Sequence, residues 1–265
     1  MNFIAPFHPL KTNARILMSS VFGPYAQDDE YGSRKINPME LYQNQVTRVQ
    51  GSFSLRMFHR SFGLSMIQEN IDAPCTVLDF PSLERFIKEI RENSYDIVGI
   101  GAIPPNVGKV KKMCEIIRQF LPKAAIVIGG HIANLDDLSN IVDADYIVKG
   151  KGISWFRKFL GQNEKMPIKH PKLYSGFGFR IIGHTVTDKP GKTAAVLIPG
   201  VGCPMGCNFC ATSSFFGGKG HFIHFYETGQ ALFDVMCELE EKLRIQSFFI
   251  LDENFLFYKK RGRPT

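Results

Sequence analysis

No stretch of this 265-residue chain approaches the roughly 18 consecutive apolar residues of a membrane-spanning helix. The N-terminal MNFIAPFHPLKTNARILMSS has prolines and a histidine where a secretory leader would hold an apolar core. Internal repeats and low-complexity tracts are also missing. The six cysteines are not spaced as a disulfide framework, since three of them fall within eight residues. These absences lead to the expectation of a cytoplasmic protein with reduced thiols and no membrane partner. Acidic residues are in the minority, 25 against 32 Lys and Arg, for a net charge of +7. The basic surplus is dispersed, apart from Lys109, Lys111 and Lys112 and the extreme C-terminus, so charge alone does not call for a nucleic-acid partner. The tail, Lys259 to Thr265, contains Arg261-Gly262-Arg263-Pro264, the form of a minor-groove hook. A single short match at a chain end reads more plainly as solvated basic surface.

What is present is the composition of a globular protein, 44% hydrophobic and 22% charged, long enough for one large or two ordinary domains. From residue 14 to 161, apolar strand-like runs alternate with helical periodicity. The strands are read at 14–23, 76–80, 96–101, 124–130 and 146–150. Helices are read at 52–70, after a Ser82 cap, from about Val110 to Leu121 before Pro122, at 135–143 and at 152–160. Strands that are apolar throughout, alternating with helices, argue for an α/β fold with a parallel sheet covered on both faces. Ligands of such sheets lie beyond the carboxyl ends of the strands. Those ends are Phe22-Gly23-Pro24, Ile103-Pro104-Pro105-Asn106, Gly129-Gly130-His131 and Gly150-Lys151-Gly152. Three of them are rich in Gly or Pro, as close backbone approach to a bulky ligand requires; ordinary strand-to-helix turns share that composition.

Residues 162–193 read as a linker with a small hairpin. A second region opens with a strand at 194–200, followed by a cysteine loop, a helix at 228–244 and a strand at 247–255. That helix is expected to turn Leu232, Val235, Met236, Leu239 and Leu243 inward. Cys114 and Cys237 lie on apolar helix faces and are expected to be core residues.

The loop reads Val201-Gly202-Cys203-Pro204-Met205-Gly206-Cys207-Asn208-Phe209-Cys210, a C-x3-C-x2-C spacing. Three thiolates can hold three irons of a cubane cluster, leaving the fourth iron open to another ligand. Gly202 and Gly206 allow the tight fold this requires, and Phe209 adds apolar screening. Zinc is the competing reading, with His221 or His224 as a fourth ligand, but zinc loops pair their cysteines and take the second pair from farther away. Three core cysteines without a ligand are a further alternative.

The C-x3-C-x2-C with an aromatic before its last cysteine, at the end of a strand, resembles the signature of the radical S-adenosylmethionine (radical SAM) family. CNFCATSSFFGGKG is similar to that region in the subfamily with an N-terminal cobalamin-binding domain. GIGAIPPN, IVIGGHIAN and DADYIVKGKG resemble that domain. The resemblance implies a Rossmann-like, parallel-sheet cobalamin-binding domain at 14–161. A linker at 162–193 would follow, and then the start of a radical SAM (β/α) barrel at 194–265. It implies a 4Fe-4S cluster on Cys203, Cys207 and Cys210, with S-adenosylmethionine chelated at the open iron and cleaved to a 5′-deoxyadenosyl radical. It further implies cobalamin as a methyl donor to an unactivated carbon of a small-molecule substrate, and an electron donor such as flavodoxin or ferredoxin. Phe209 matches the position near the adenine, and Asp252, Glu253 and Asn254 match the region near the methionine end. Pro105, Asn106, Gly129, Gly130 and Gly150 match loops that approach the cobalamin. Radical cyclisation or rearrangement is the rival chemistry, and a non-catalytic cluster- or cobalamin-binding fragment is the rival class.

The sequence departs from the family pattern in four places. Gln27 to Gly32 reads QDDEYG and lacks the Asp-x-His-x-x-Gly loop, so no axial histidine is expected from it. Gly150-Lys151-Gly152-Ile153 replaces a Gly-Glu-Gly-Glu. Val201 stands where arginine is frequent. A (β/α) barrel takes about 200 residues or more, and 72 run from Ala194 to Thr265, so an incomplete barrel is expected and catalysis by this chain alone is left open.

Overall fold

The computed structural model describes residues 7–23, 31, 53–58, 61–171, 174–181, 184–187, 194–210, 222–226 and 228–255. QDDEYG apart from Tyr31, His221 and the basic tail therefore lie outside the described residues. The chain divides into two compact units, one from Met1–Glu40 and Ser61–Lys169, the other from Leu41–Arg60 and His170–Thr265.

The first strand, β1, spans Ile16–Ser20. The second, β2 (Phe53–Phe58), belongs to the other unit. The first unit continues through α1 (Phe62–Glu69), β3 (Cys75–Leu78), α2 (Leu83–Glu92), β4 (Ile97–Gly101) and α3 (Val107–Phe120). It ends with β5 (Ala125–Gly129), α4 (Leu138–Ile141), β6 (Tyr146–Ile147) and α5 (Gly152–Phe159). The strands form one parallel sheet in the order β3-β1-β4-β5-β6. Side chains of a strand alternate between faces, and here both faces are buried. Leu17, Val98, Ile126 and Ile128 face a core with Phe86, Ile90, Val110 and Met113 of α2 and α3. Ile16, Met18, Ile97 and Val127 face the opposite core, with Leu64 of α1 and Phe156 and Phe159 of α5. Each such side chain contributes about 1.5–3 kcal/mol on burial, which is why the strand sequences are apolar without alternation.

Local signals account for most boundaries. Ser82 caps α2, its hydroxyl accepting from the Arg85 amide at 3.2 Å. The helix α3 stops at Phe120 ahead of Pro122. Three expectations need correction. The 52–70 helix is a strand and a shorter helix: Phe53-Ser54-Leu55-Arg56-Met57 alternates with period two, and the segment pairs antiparallel with a strand of the second unit. The 135–143 helix shrinks to the single turn of α4, preceded by a 3-10 turn at His131–Asn134. The strand at 146–150 is two residues long: Tyr146 and Ile147 pair with β5, and beyond them the Val148 amide donates to the Ile128 carbonyl at 2.8 Å.

In the second unit β7 (Tyr174–Ile181) and β8 (His184–Thr187) form a hairpin, and β9 (Ala194–Leu197), β10 (Gly200–Gly202), β11 (Phe222–His224), α6 (Gly229–Leu243) and β12 (Ser247–Ile250) follow. The main sheet runs β12-β9-β7-β2, with β8 on β7. Among the described pairs of this sheet only β12 and β9 are parallel, joined through α6. Leu232 and Leu239 of α6 are buried against Ala195 and Leu197, with Val235 and Met236 partly covered. Leu243 is not inward but 36% exposed in the last turn, before Arg244 turns left-handed (φ 54°). Cys237 is exposed rather than core, since it lies on the side of α6 away from the Leu232–Leu239 stripe. No helix among the described residues is long and apolar enough to cross a membrane.

The last turn of the first unit is tied down by Arg157, which is 3% exposed. Its guanidinium donates to the Asn70 carbonyl (2.8 Å), the Asn70 side-chain oxygen (3.0 Å) and the carbonyls of Met166 (2.5 Å) and Pro167 (3.0 Å). Asn70 in turn bonds both main-chain groups of Lys169, at 2.7 and 2.8 Å. Arg157→Met strands these buried acceptors, each with a penalty of about 1–3 kcal/mol. Urea unfolding should show a loss of at least about 2 kcal/mol, and trypsin should cut at Lys165 or Lys169 faster. Unchanged stability would refute the clamp.

Candidate functional site

In a parallel sheet ordered this way the ligand crevice opens where the chain reverses direction across the sheet, between the carboxyl ends of β1 and β4. The loops meeting there are Val21–Gly23, Ala102–Asn106 and Gly129–His131, with Gly150 beyond β6. Pro105 is half-buried in the 3-10 turn Pro104–Asn106, and Asn106, 6% exposed, ends that turn at the start of α3. Gly130 has φ 82° and ψ −167°, a region nearly restricted to glycine. A Cβ there would lie 2.7 Å from the Ala102 carbonyl oxygen. That carbonyl accepts from the Ile132 amide at 3.1 Å, so Gly130 locks the β4 and β5 loops together. Gly129 and Gly150 differ: a Cβ at either meets nothing within 4 Å among the described residues. Among the described residues the main chain at both is uncovered, so a flat, bulky ligand can approach it directly. The fit of such a ligand rests on these two positions.

Residues 51–160 match the family model of the B12 binding domain. The match supports cobalamin as the ligand of the first unit, on a five-stranded parallel sheet suited to it. It takes in β2 as well as β3 to β6, and does not reach β1. The chain matches no curated protein. Two residues of the first unit were named from sequence only as members of a strand end and of a lysine cluster. His131 follows the glycine pair, and burial pushes its imidazole below the usual 6.5, so it is neutral near pH 7. Lys109, wholly buried at the start of α3, has its ammonium 5.5 Å from the centre of the Phe22 ring. Its signal was hidden in a run of three lysines that reads as solvated charge.

The second unit holds the cysteine loop. It leaves β9 and is bracketed by β10 and β11, paired as Gly200↔His224, Val201↔Ile223 and Gly202↔Phe222. Gly202 and Gly206 have φ 89° and 64°, left-handed turns that few other residues could make. Cys203 is buried, Cys210 half-buried and Cys207 exposed, and the Cys210 amide donates to the Cys207 carbonyl at 3.0 Å. None of the three cysteines is in a disulfide. No three His, Cys, Asp or Glu side chains among the described residues are grouped to hold a metal ion. The soft sulfur donors suit an iron–sulfur cluster, while their arrangement here is open. His224 sits opposite Gly200, at the end of the clip away from the cysteines, so it is not brought to them. Phe209 is 94% exposed. Burial pushes the Cys75 and Cys114 thiols up to about 12, which keeps these two protonated and out of ligand chemistry.

Parallel pairing of β12 with β9 carries the chain past Leu251, whose amide donates to the Leu197 carbonyl at 2.8 Å. Asp252, Glu253 and Asn254 therefore follow alongside the exit from β9. The Asp252 carboxylate accepts from the Asn254 amide at 2.8 Å. Glu253, although exposed as a residue, has its carboxyl pushed up by desolvation, opposed by a bond from the Gly202 amide next to Cys203. Asp252 is also raised by desolvation. On the other side of the exit, His170 Nε2 accepts from the Ile198 amide at 3.1 Å and Nδ1 lies 2.7 Å from the Pro171 carbonyl oxygen. That pairing needs the neutral ring with its proton on Nδ1.

Two predictions follow from this geometry. Gly130→Ala should lower stability by about 1–3 kcal/mol from backbone strain alone, whereas Gly129→Ala should be tolerated; equal thermal midpoints would contradict the distinction. Burial holds the His170 imidazole below its usual 6.5. The folded state thus takes up its proton less readily than the unfolded chain, so this contribution is whole above pH 6.5 and is lost as pH falls below it. Denaturant midpoints between pH 7.5 and 5.0 should fall, and His170→Gln should flatten the part of the slope that His8 and His131 do not account for.

Proposed function

We propose that this chain is a cobalamin-binding radical SAM protein of the methyltransferase type. The reading is carried by one observation: a C-x3-C-x2-C loop leaves the carboxyl end of β9, which pairs in parallel with β12 through a crossover helix, in a chain whose residues 51–160 match a B12 binding domain. Cys203, Cys207 and Cys210 are the ligands of a 4Fe-4S cluster. Cluster loading draws the three thiols together, as metal sites commonly complete their fold on binding. The cluster and S-adenosylmethionine supply a carbon-centred radical and cobalamin supplies the methyl group; the protein contributes position and dryness. Phe209 offers a ring for an adenine to stack on, and its exposure supports that role. Glu253 steadies the entry to the loop through Gly202, and Asp252 lies next to it for the amino group of the methionine moiety. The β-strand pair with its crossover helix is the start of a (β/α) barrel. The substrate is a small molecule with an unactivated carbon, and reduction comes from a flavodoxin or ferredoxin.

Anaerobic reconstitution with iron and sulfide tests this reading. The expected result is about four irons per chain, a loss of cluster absorbance in Cys203→Ala, Cys207→Ala and Cys210→Ala, and 5′-deoxyadenosine on adding S-adenosylmethionine and reductant. A zinc-loaded loop, or one that retains no iron, would overturn the cluster. Titration with cobalamin, followed by its visible spectrum, tests the B12-binding unit separately.

A further inference from the structure

We propose that His170 is a positioning residue for the cysteine loop: its ring joins the outgoing and returning stems of that loop at their base and so sets where Cys203 begins it. This rests on the cluster reading of the loop and names a residue outside the three thiols on which cluster retention depends. The outgoing stem leaves β9 at Ile198 and Pro199, and the returning stem is Phe225 and Tyr226. The His170 Nε2 accepts from the Ile198 amide at 3.1 Å. The same ring lies tilted against Tyr226, with centroids 5.6 Å apart and planes at 32°. Tyr226 is 9% exposed and packs in the core with Ala195, Leu197 and Leu239. One side chain thus touches both stems.

The stems need such a tie for a physical reason. Between them and the cysteines stands the β10–β11 clip, three residue pairs long, which forms a sheet of its own among the described residues. A two-stranded ribbon is marginal in water unless something fixes its base. At that base the Phe225 amide donates to the Pro199 carbonyl at 3.0 Å, and the His170 bond lies one residue before it. Ile198 is 7% exposed, so removing the imidazole takes the acceptor from a buried amide. Nδ1 of the ring sits 2.7 Å from the Pro171 carbonyl oxygen, which keeps the proton there and leaves Nε2 as the acceptor. Gln can supply the same acceptor and donor from one planar group; Phe supplies the ring face alone.

Site-resolved alkylation of the unloaded full chain compares His170→Gln and His170→Phe with the wild type. In His170→Phe, Cys203 should react about fivefold faster relative to the exposed Cys207, the fold-change of one lost hydrogen bond. His170→Gln should react like the wild type, and the buried Cys114 of the first unit should stay slow in all three. After anaerobic reconstitution, His170→Phe should lose cluster absorbance faster than the wild type, and His170→Gln should not. An unchanged Cys203 rate in His170→Phe, or equal acceleration in both variants, overturns the inference. Should His170→Phe fail to fold, hydrogen exchange of the wild-type Ile198 amide decides: protection supports the bond, and exchange as fast as an exposed amide overturns it. A wild-type loop that takes up no iron overturns the cluster reading and the retention role with it, whereas the alkylation rates judge the hold on Cys203 independently.

Discussion

Everything in the first unit hangs on β1 being held between two parallel partners. Ile16 to Ser19 register with Cys75 to Leu78 on one side, and Ile16 to Ser20 with Ile97 to Gly101 on the other. Its ladder groups are committed to neighbours on both sides and its side chains to two cores. Its position fixes where the chain turns back across the sheet, and hence where the loops after β1 and β4 converge. The Gly130 lock between those of β4 and β5 is a consequence of that one placement.

The same economy operates in the second unit on a smaller scale. β9 is the strand on which the cysteine loop depends: β12 runs beside it, β7 crosses it antiparallel, and His170 holds the Ile198 amide just past its end. The β10–β11 clip then brings the two ends of the loop side by side. Most of the entropy of closing that loop is spent in forming the clip.

Much of the sheet was legible because its strands are continuous apolar runs, a pattern that burial on both faces imposes and few other architectures tolerate. Ser82 and Pro122 marked helix ends by chemistry that acts locally, and the structure agrees at both. Legibility failed where the deciding contact was distant. Nothing near residues 53–58 announces that their partner lies at 176–181, and the Leu64 and Met66 of the following helix lent the whole stretch a helical look. Cys237 and Leu243 were misjudged because an apolar residue on a helix reads as inward until the packed stripe is known. At the candidate site, glycines and cysteines could be named from spacing, but the burial of Lys109 could not, since it depends on Phe22, distant in sequence, lying beneath its ammonium. Glu253 was legible as a residue at a strand end. Its bond with the Gly202 amide was not, for that depends on the register between β12 and β9.

The position of β2 in the chain has a bearing on how the molecule is made. This strand is synthesised early, between two elements of the first unit, yet its hydrogen-bonding partner β7 emerges more than a hundred residues later. On the ribosome its edge is left without a mate while the first sheet is already assembling around it, the kind of exposed ribbon that invites pairing with the wrong neighbour. The chain also crosses between units three times, at 40–41, 60–61 and 169–170. A gene fragment cut cleanly at residue 170 would therefore strip the second sheet of an outer strand and leave the first half carrying an orphan. The two units are distinct in packing but inseparable in expression.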